Sequence, residues 1–116
     1  MKVTTHFVVS VEMRSRLREI SRRTRVPQCC YVADAVNTVL AYDEREQLPW
    51  APKPGRFAVG VVTRLPKERY GELKDMCLWR RCGIGDAMRA GLMAVLEMVE
   101  ADLVLDGAPV LRAVAS

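Results

Sequence analysis

A chain of 116 residues, of which 50% are hydrophobic and 28% charged, can form one compact domain or two small modules that share a core, and it is too apolar to be disordered. Aromatic residues make up only 6% of the chain, which disfavours a surface for stacking sugars or bases. The net charge of +4 is concentrated in two basic stretches, residues 14–25 and 53–81, and it fits a polyanionic partner as well as it fits solvated helix faces.

The first predicted element is a strand over residues 3–10, because VTTHFVVS is rich in β-branched and aromatic residues. This apolar run is too short for a signal peptide, and no later apolar stretch reaches the length of a membrane span. We therefore expect a cytoplasmic protein that does not associate with a membrane and whose cysteines are reduced.

Two helices are predicted after the first strand. Ser10 suits the N-cap of the first helix, which carries an apolar stripe formed by Met13, Leu17 and Ile20. The second helix opens after Pro27, which disfavours helical geometry at the residue before it. The apolar face of the second helix consists of Val32, Ala35, Val36, Val39 and Leu40.

The same order of elements returns after a proline-rich linker, residues 49–56, which should be stiff and extended. The second strand is predicted over residues 56–65, and Pro66 suits the first turn of the helix that follows. The apolar stripes of the two later helices consist of Tyr70, Leu73, Met76 and Cys77 in one, and of Met88, Gly91, Leu92, Val95, Leu96 and Val99 in the other.

At an offset of 56 residues the apolar positions of the two halves coincide, as Leu17 does with Leu73. We expect the last helix to end at Asp106-Gly107 and Pro109, because these residues are helix breakers. The predicted organisation is a first repeat over 1–48, a linker over 49–56, a second repeat over 57–100 and an apolar C-terminal tail over 101–116.

A strand followed by two helices cannot bury its apolar faces alone, because an isolated strand has no partner. Two copies remove this difficulty if their strands pair antiparallel while four helices close the core. The predicted fold class is therefore mainly α with a two-stranded antiparallel β-ribbon. The alternative arrangement is a homodimer in which four copies of the unit are exchanged between chains.

Short motifs in both halves resemble the ribbon-helix-helix superfamily of the MetJ/Arc/CopG type. They are LREI (17–20) and VADAV (32–36) in the first half, and LPKE (65–68), LKDM (73–76) and MRAGL (88–92) in the second. The resemblance covers nearly all of residues 2–100 and implies two ribbon-helix-helix repeats that form a pseudo-dimer. In architecture alone, the two copies are also similar to tandem relaxosome accessory proteins of conjugative plasmids.

The resemblance implies that the ribbon enters the major groove of double-stranded DNA, where alternate side chains face the bases. The expected base-facing residues are Lys2, Thr4, His6, Val8, Val62 and Arg64, and Ala58 and Gly60 share their face. Apolar groups can contact a thymine methyl but cannot read a guanine. Readout should therefore be sparse or asymmetric and depend mainly on the first copy and Arg64, unless specific recognition has been lost.

The resemblance also implies phosphate contacts at the N-terminus of the second helix in each copy, where free amides and the helix dipole favour an anion. The expected phosphate-binding residues are Arg25, Gln28, Cys29, Arg80, Arg81, Ile84 and Gly85. The implied function is that of a transcriptional repressor or an accessory factor of a nucleoprotein complex. The alternative is a protein-interaction module, antitoxin-like or adaptor, that grips a partner protein through its C-terminal tail or its valine-rich strand face.

Neither the cysteines nor the single histidine indicate catalysis, a metal ion or a cofactor. Cys29-Cys30 and Cys77-x4-Cys82 have the wrong spacing for zinc, and His6 lies far from them. We expect Cys77 and one of the adjacent pair to be small buried thiols, while a reactive Cys29 thiolate at a helix N-terminus is the less favoured interpretation. Two smaller expectations are an ion pair between Glu19 and Arg23 and packing of Trp50 against the body.

Overall fold

The computed structural model describes residues 1–42 and 45–112, with side chains as far as residue 105. In chain order its elements are β1 (Lys2–Val9), α1 (Val11–Thr24), α2 (Gln28–Leu40), β2 (Val59–Pro66), α3 (Lys67–Arg80) and α4 (Ile84–Arg112). The protein is thus mainly helical with a two-stranded antiparallel ribbon, as the sequence predicted.

The helix boundaries follow from capping residues. Ser10 caps α1, because its hydroxyl accepts a hydrogen bond from the Met13 amide at 3.1 Å. Both α1 and α3 end at an arginine in the left-handed conformation, Arg25 with φ 62° and Arg81 with φ 56°. These two arginines lie 56 residues apart in the sequence, so the chain turns in the same way into α2 and into α4.

The pairing of β1 with β2 places one face of the ribbon against the helices. The buried residues are Thr5, Phe7 and Val9 of β1 and Val61, Thr63 and Leu65 of β2, which is the face that the family resemblance assigned to the core. Beneath them the apolar stripes of all four helices form one core, which includes Leu17, Val36, Leu73 and Leu92.

The helices α2 and α4 cross in the centre of this core. Ala35 of α2 is fully buried, and the backbone of α4 approaches it at Gly91. A Cβ atom at Gly91 would overlap the Ala35 carbonyl oxygen and lie 2.9 Å from the Ala35 carbonyl carbon and from Val39 Cγ1. Glycine at position 91 therefore allows the two helices to pack this closely.

The linker lies against the body through Leu48 and Ala51, which pack on the core. Arg80 at the end of α3 also holds it, since Arg80 Nη1 donates a hydrogen bond to the carbonyl oxygen of Glu46 at 2.7 Å. The prediction for Trp50 is wrong: its side chain is 77% exposed, because Leu48 and Ala51 occupy the inward side of the segment. Asp43 and Glu44, which precede this segment, lie outside the described residues.

The last helix is longer than expected, because α4 continues to Arg112. The predicted break at Asp106-Gly107 and Pro109 is therefore wrong. Extending a helix that has already formed fixes only one further residue per step, so isolated unfavourable residues need not end it. Residues 101–112 of the predicted tail belong to α4, and residues 113–116 lie outside the described part of the chain.

Ion pairs form between helices and within single helices. Arg16 of α1 makes a two-pronged contact with Glu100 of α4, with Nε–Oε2 and Nη2–Oε1 distances of 2.9 and 2.5 Å. Glu19 pairs with Arg22 rather than with Arg23, because side chains three residues apart meet on a helix as readily as those four apart. Over residues 1–42 and 45–112, no helix has the length and hydropathy needed to cross a bilayer.

Candidate nucleic-acid interface

The outward face of the ribbon carries every residue that the sequence assigned to base contact. Lys2, Thr4, His6 and Val8 are exposed on β1, and Val62 and Arg64 are exposed on β2. In the antiparallel register Thr4 lies opposite Arg64, His6 opposite Val62 and Val8 opposite Gly60.

This register sorts the outward side chains by chemistry. Lys2, Thr4 and Arg64 lie at one end of the ribbon, which we call the polar half. Val8 and Gly60 lie at the other end, and Val62 lies beside them at the middle of the ribbon, opposite His6; we call these three residues the methyl half, and its two valines are 41% and 55% exposed. Although the sequence distributes these residues over two distant strands, the pairing brings both cations to one end.

The polar half lies next to the N-terminus of α2. One groove is lined by Lys2, Val62 and Arg64 of the ribbon and by Cys29 and Cys30 of α2. Pro27, the N-cap of α2, provides no side-chain hydrogen bond, and the first turn contains no acidic residue. Since the first amides of a helix have no intrahelical partner, this terminus can accept an anion.

The N-terminus of α4 differs, because it already faces a carboxylate. Asp86 accepts hydrogen bonds from the Gly83 amide at 3.3 Å and from Arg89 Nη2 at 2.6 Å. The hydrogen bond from Arg89, supported by that from Gly83, holds the pKa of Asp86 below its ordinary value. Ile84 and Gly85, the predicted phosphate-binding residues here, precede this carboxylate directly.

The predicted phosphate-binding side chains differ in how exposed they are and in what they contact. Arg25 and Arg81 are exposed at the turns before α2 and α4. Gln28 is half-buried in the first turn of α2. Arg80 is directed at the linker through its bond to Glu46, so it lies outside the group of outward-facing cations.

Two arginines that the sequence did not single out hold the methyl half. Arg14 Nη1 donates to the Gly60 carbonyl oxygen at 3.2 Å, and Arg89 Nη1 donates to the Val8 carbonyl oxygen at 2.9 Å. Arg89 is only 9% exposed. The sequence contained a signal for Asp86 alone, since an acid three residues after the helix N-cap, as in Gly83-x-x-Asp86, is half of a capping box.

The four thiols lie in three environments: Cys77 is buried, Cys82 is half-buried, and Cys29 and Cys30 are exposed. Cys77 is buried, and burial raises the pKa of its thiol to about 12. Cys29 and Cys30 are both exposed, so the expectation that one of them would be buried is wrong. Both cysteines line the groove beside the ribbon, while Tyr31 of the same turn enters the core. Among the described residues, no three His, Cys, Asp or Glu side chains gather where a metal ion could bind.

Comparison with known families bears on the first half of the chain. Residues 1–42 match the family model of the ribbon-helix-helix domain. The matched segment contains β1, α1 and α2, and the match supports the ribbon-helix-helix family, whose members are in general DNA-binding regulators. The ribbon-helix-helix match does not extend to β2, α3 and α4. Searches of curated proteins and of solved structures found no match.

Proposed function

We propose that this protein binds double-stranded DNA by inserting the β1–β2 ribbon into the major groove, and that it acts in the cytoplasm as a transcriptional repressor or as an accessory factor of a nucleoprotein complex. In this proposal residues 1–48 and 57–100 are two ribbon-helix-helix repeats of a single-chain pseudo-dimer. Two features support the second repeat: the recurrence of the strand-helix-helix order and the equivalent turns at Arg25 and Arg81.

The observation that carries the proposal is the shared groove between the polar half and the N-terminus of α2. Lys2 and Arg64 are exposed beside a helix end that can accept an anion. A ribbon in the major groove requires side chains that reach base edges and a nearby site for a backbone phosphate. Both requirements meet here: Lys2 and the α2 terminus lie within the segment that matches the ribbon-helix-helix domain, and Arg64 is supplied by β2.

We assign the phosphate contact mainly to the α2 terminus, through Arg25, Gln28 and Cys29. The equivalent contact at Arg81, Ile84 and Gly85 is weaker in this proposal, because the Asp86 carboxylate would repel a phosphate. The number of phosphates bound is therefore smaller than the pseudo-dimer alone would suggest. Because each phosphate contact adds about 0.9 to the slope of log affinity against log salt concentration, that slope should be shallow.

A salt titration with a short duplex of mixed sequence tests the proposal. Affinity measured by fluorescence anisotropy should fall steadily between about 50 and 200 mM salt. Replacing Arg64 by alanine should reduce the preference among sequences more than it reduces overall affinity. Failure to bind the duplex at the lowest salt concentration would refute DNA binding as the function.

A matched pair of variants tests the assignment of the phosphate contact. Arg25→Gly and Arg81→Gly each remove one charge, and glycine readily adopts the left-handed conformation of these positions. Arg25→Gly should weaken binding to all sequences alike and reduce the salt slope by about one. Arg81→Gly should have the smaller effect, and an equal or larger effect would contradict the assignment to α2.

The second candidate function is a protein-interaction module. It is favoured by the outward side of the C-terminal half of α4, where Met98, Val104 and Leu105 are exposed while Val99 and Leu103 pack against the core. In that case the ribbon would serve as a scaffold, and the C-terminal part of the chain would bind a partner protein. Absence of DNA binding at low salt would favour this function. Light scattering would distinguish the single-chain pseudo-dimer from an exchanged homodimer.

A further inference from the structure

The two ends of the ribbon present different chemistry to any bound DNA. The polar half offers two cations and a hydroxyl, from Lys2, Arg64 and Thr4. The methyl half offers the exposed side chains of Val8 and Val62 beside Gly60, which adds no side chain. His6 lies between the halves, opposite Val62. The chain therefore presents no two-fold repeat of base-reading groups.

Two arginines near the methyl half, Arg14 and Arg89, are engaged with the protein itself. Arg14 and Arg89 donate to the carbonyl oxygens of Gly60 and Val8, so their guanidinium groups are used to fix the strands. Arg89 is also paired with Asp86, whose carboxylate lies at the N-terminus of α4. This end of the ribbon can thus contribute shape and methyl groups, while the stronger attraction for phosphate comes from the α2 terminus, because the Asp86 carboxylate weakens the contact at the α4 terminus.

In the major groove the apolar group that a valine can contact is the C5-methyl of thymine, whereas guanine, adenine and cytosine present donors and acceptors there. Each half of the ribbon spans about four residues, or about 13 Å, which corresponds to roughly four base pairs. Continuity with the cationic polar half favours DNA over a protein as the occupant of the methyl half, because both halves lie on one face.

We propose that the DNA site recognised by this protein is non-palindromic, with one arm read by hydrogen bonds from the polar half and the other arm rich in thymines that contact Val8 and Val62. This inference rests on the proposed DNA-binding function and specifies its substrate. The protein binds such a site in one orientation, with the α2 terminus anchored on the phosphate next to the hydrogen-bonded arm.

The test begins with selection of duplexes from a pool with a randomised core, using the full chain. The enriched sequence should lack two-fold symmetry and contain thymines in one arm only. Deoxyuridine then replaces thymine in each arm separately, which removes the methyl and leaves base pairing intact. Loss of one buried methyl should weaken binding about fourfold, and the loss should occur in one arm only.

Variants connect the effect to the residues. Val62→Ala should abolish part of the deoxyuridine effect, and Arg64→Ala should leave that effect unchanged while relaxing preference in the opposite arm. Both positions are exposed, so the thermal melting of each variant should match that of the wild type. A palindromic enriched sequence, or equal losses in both arms, would overturn the inference while leaving DNA binding intact.

Two further outcomes separate this inference from the function on which it rests. Salt-dependent binding of the pool without enrichment of any sequence would refute the non-palindromic site and retain DNA binding. If the pool does not bind even at low salt, DNA binding itself fails and the inference fails with it. Enrichment of an asymmetric site without thymine dependence would also overturn the proposed role of the two valines.

Discussion

The crossing of α2 and α4 at Gly91 makes a quantitative prediction about stability. Gly91→Ala adds one methyl group, which would overlap the Ala35 carbonyl oxygen and lie 2.9 Å from Val39 Cγ1. The carbonyl belongs to the backbone of a buried helix and cannot rotate away, so α2 and α4 must move apart. Their contact includes the fully buried Leu92, so the separation disturbs the centre of the core.

The magnitude follows from two opposing terms. Alanine in place of glycine in a helix gains up to about 1 kcal/mol from backbone entropy. Overpacking a filled core costs about 1–3 kcal/mol and more where the surroundings cannot yield, and a backbone obstacle belongs at the upper end. We expect Gly91→Ala to lose about 2 kcal/mol net, which corresponds to a decrease in Tm of roughly 10 °C.

Gly71→Ala is the matched control, because it makes the same substitution in α3 at a place where no atom lies within 4 Å of the new Cβ. It should therefore stabilise the protein by up to about 1 kcal/mol. The assay is urea unfolding followed by circular dichroism, with the midpoints compared at equal slope. If Gly91→Ala proved as stable as the wild type, or gained stability like the control, the close helix crossing would be refuted.

Two further predictions concern titratable groups. In the native protein at neutral pH, the exposed Cys29 and Cys30 should react with a thiol reagent, Cys30 more slowly because desolvation and the neighbouring Cys29 raise its pKa. Cys77 should react only after unfolding, because it is buried and its pKa is raised to about 12; labelling followed by mass spectrometry of peptides would contradict this if Cys77 reacted first. Asp86 has a depressed folded-state pKa, so it contributes stability above its ordinary pKa of 3.8 and loses that contribution as pH falls through the folded value. Asp86→Asn should therefore be less stable than the wild type near pH 7, and the difference should shrink below pH 3.8; a difference that grew toward acid would refute the ion pair with Arg89.

Which side chains of the ribbon point outward could be predicted once the family resemblance had assigned one face to the core, because side chains in a strand alternate with a period of two. Once Phe7 and Val9 are assigned to the core, His6 and Val8 must face outward, and the structure agrees. The helix faces follow from a period of 3.6 in the same way, as the burial of Leu17 and Leu73 shows. These patterns depend on many residues at once, so a single exception does not alter them.

What the sequence left open depends on single contacts. Glu19 could reach Arg22 or Arg23, and only the side-chain rotamers decide between them. The role of Arg89 depends on how close β1 comes to α4, which is a tertiary distance that no local pattern contains. The difference between the two helix ends arises from one position, Asp86, whose equivalent 56 residues earlier is Cys30.

In this structure β1 and β2 belong to one polypeptide, so the ribbon forms within a single chain. A ribbon built from two chains dissociates on dilution, whereas in this structure the partner strand is tethered. A substitution in one strand changes only that strand, whereas in a ribbon built from two identical chains it would change both strands. Mutation can therefore alter the surface around Arg64 without altering the surface around Val8.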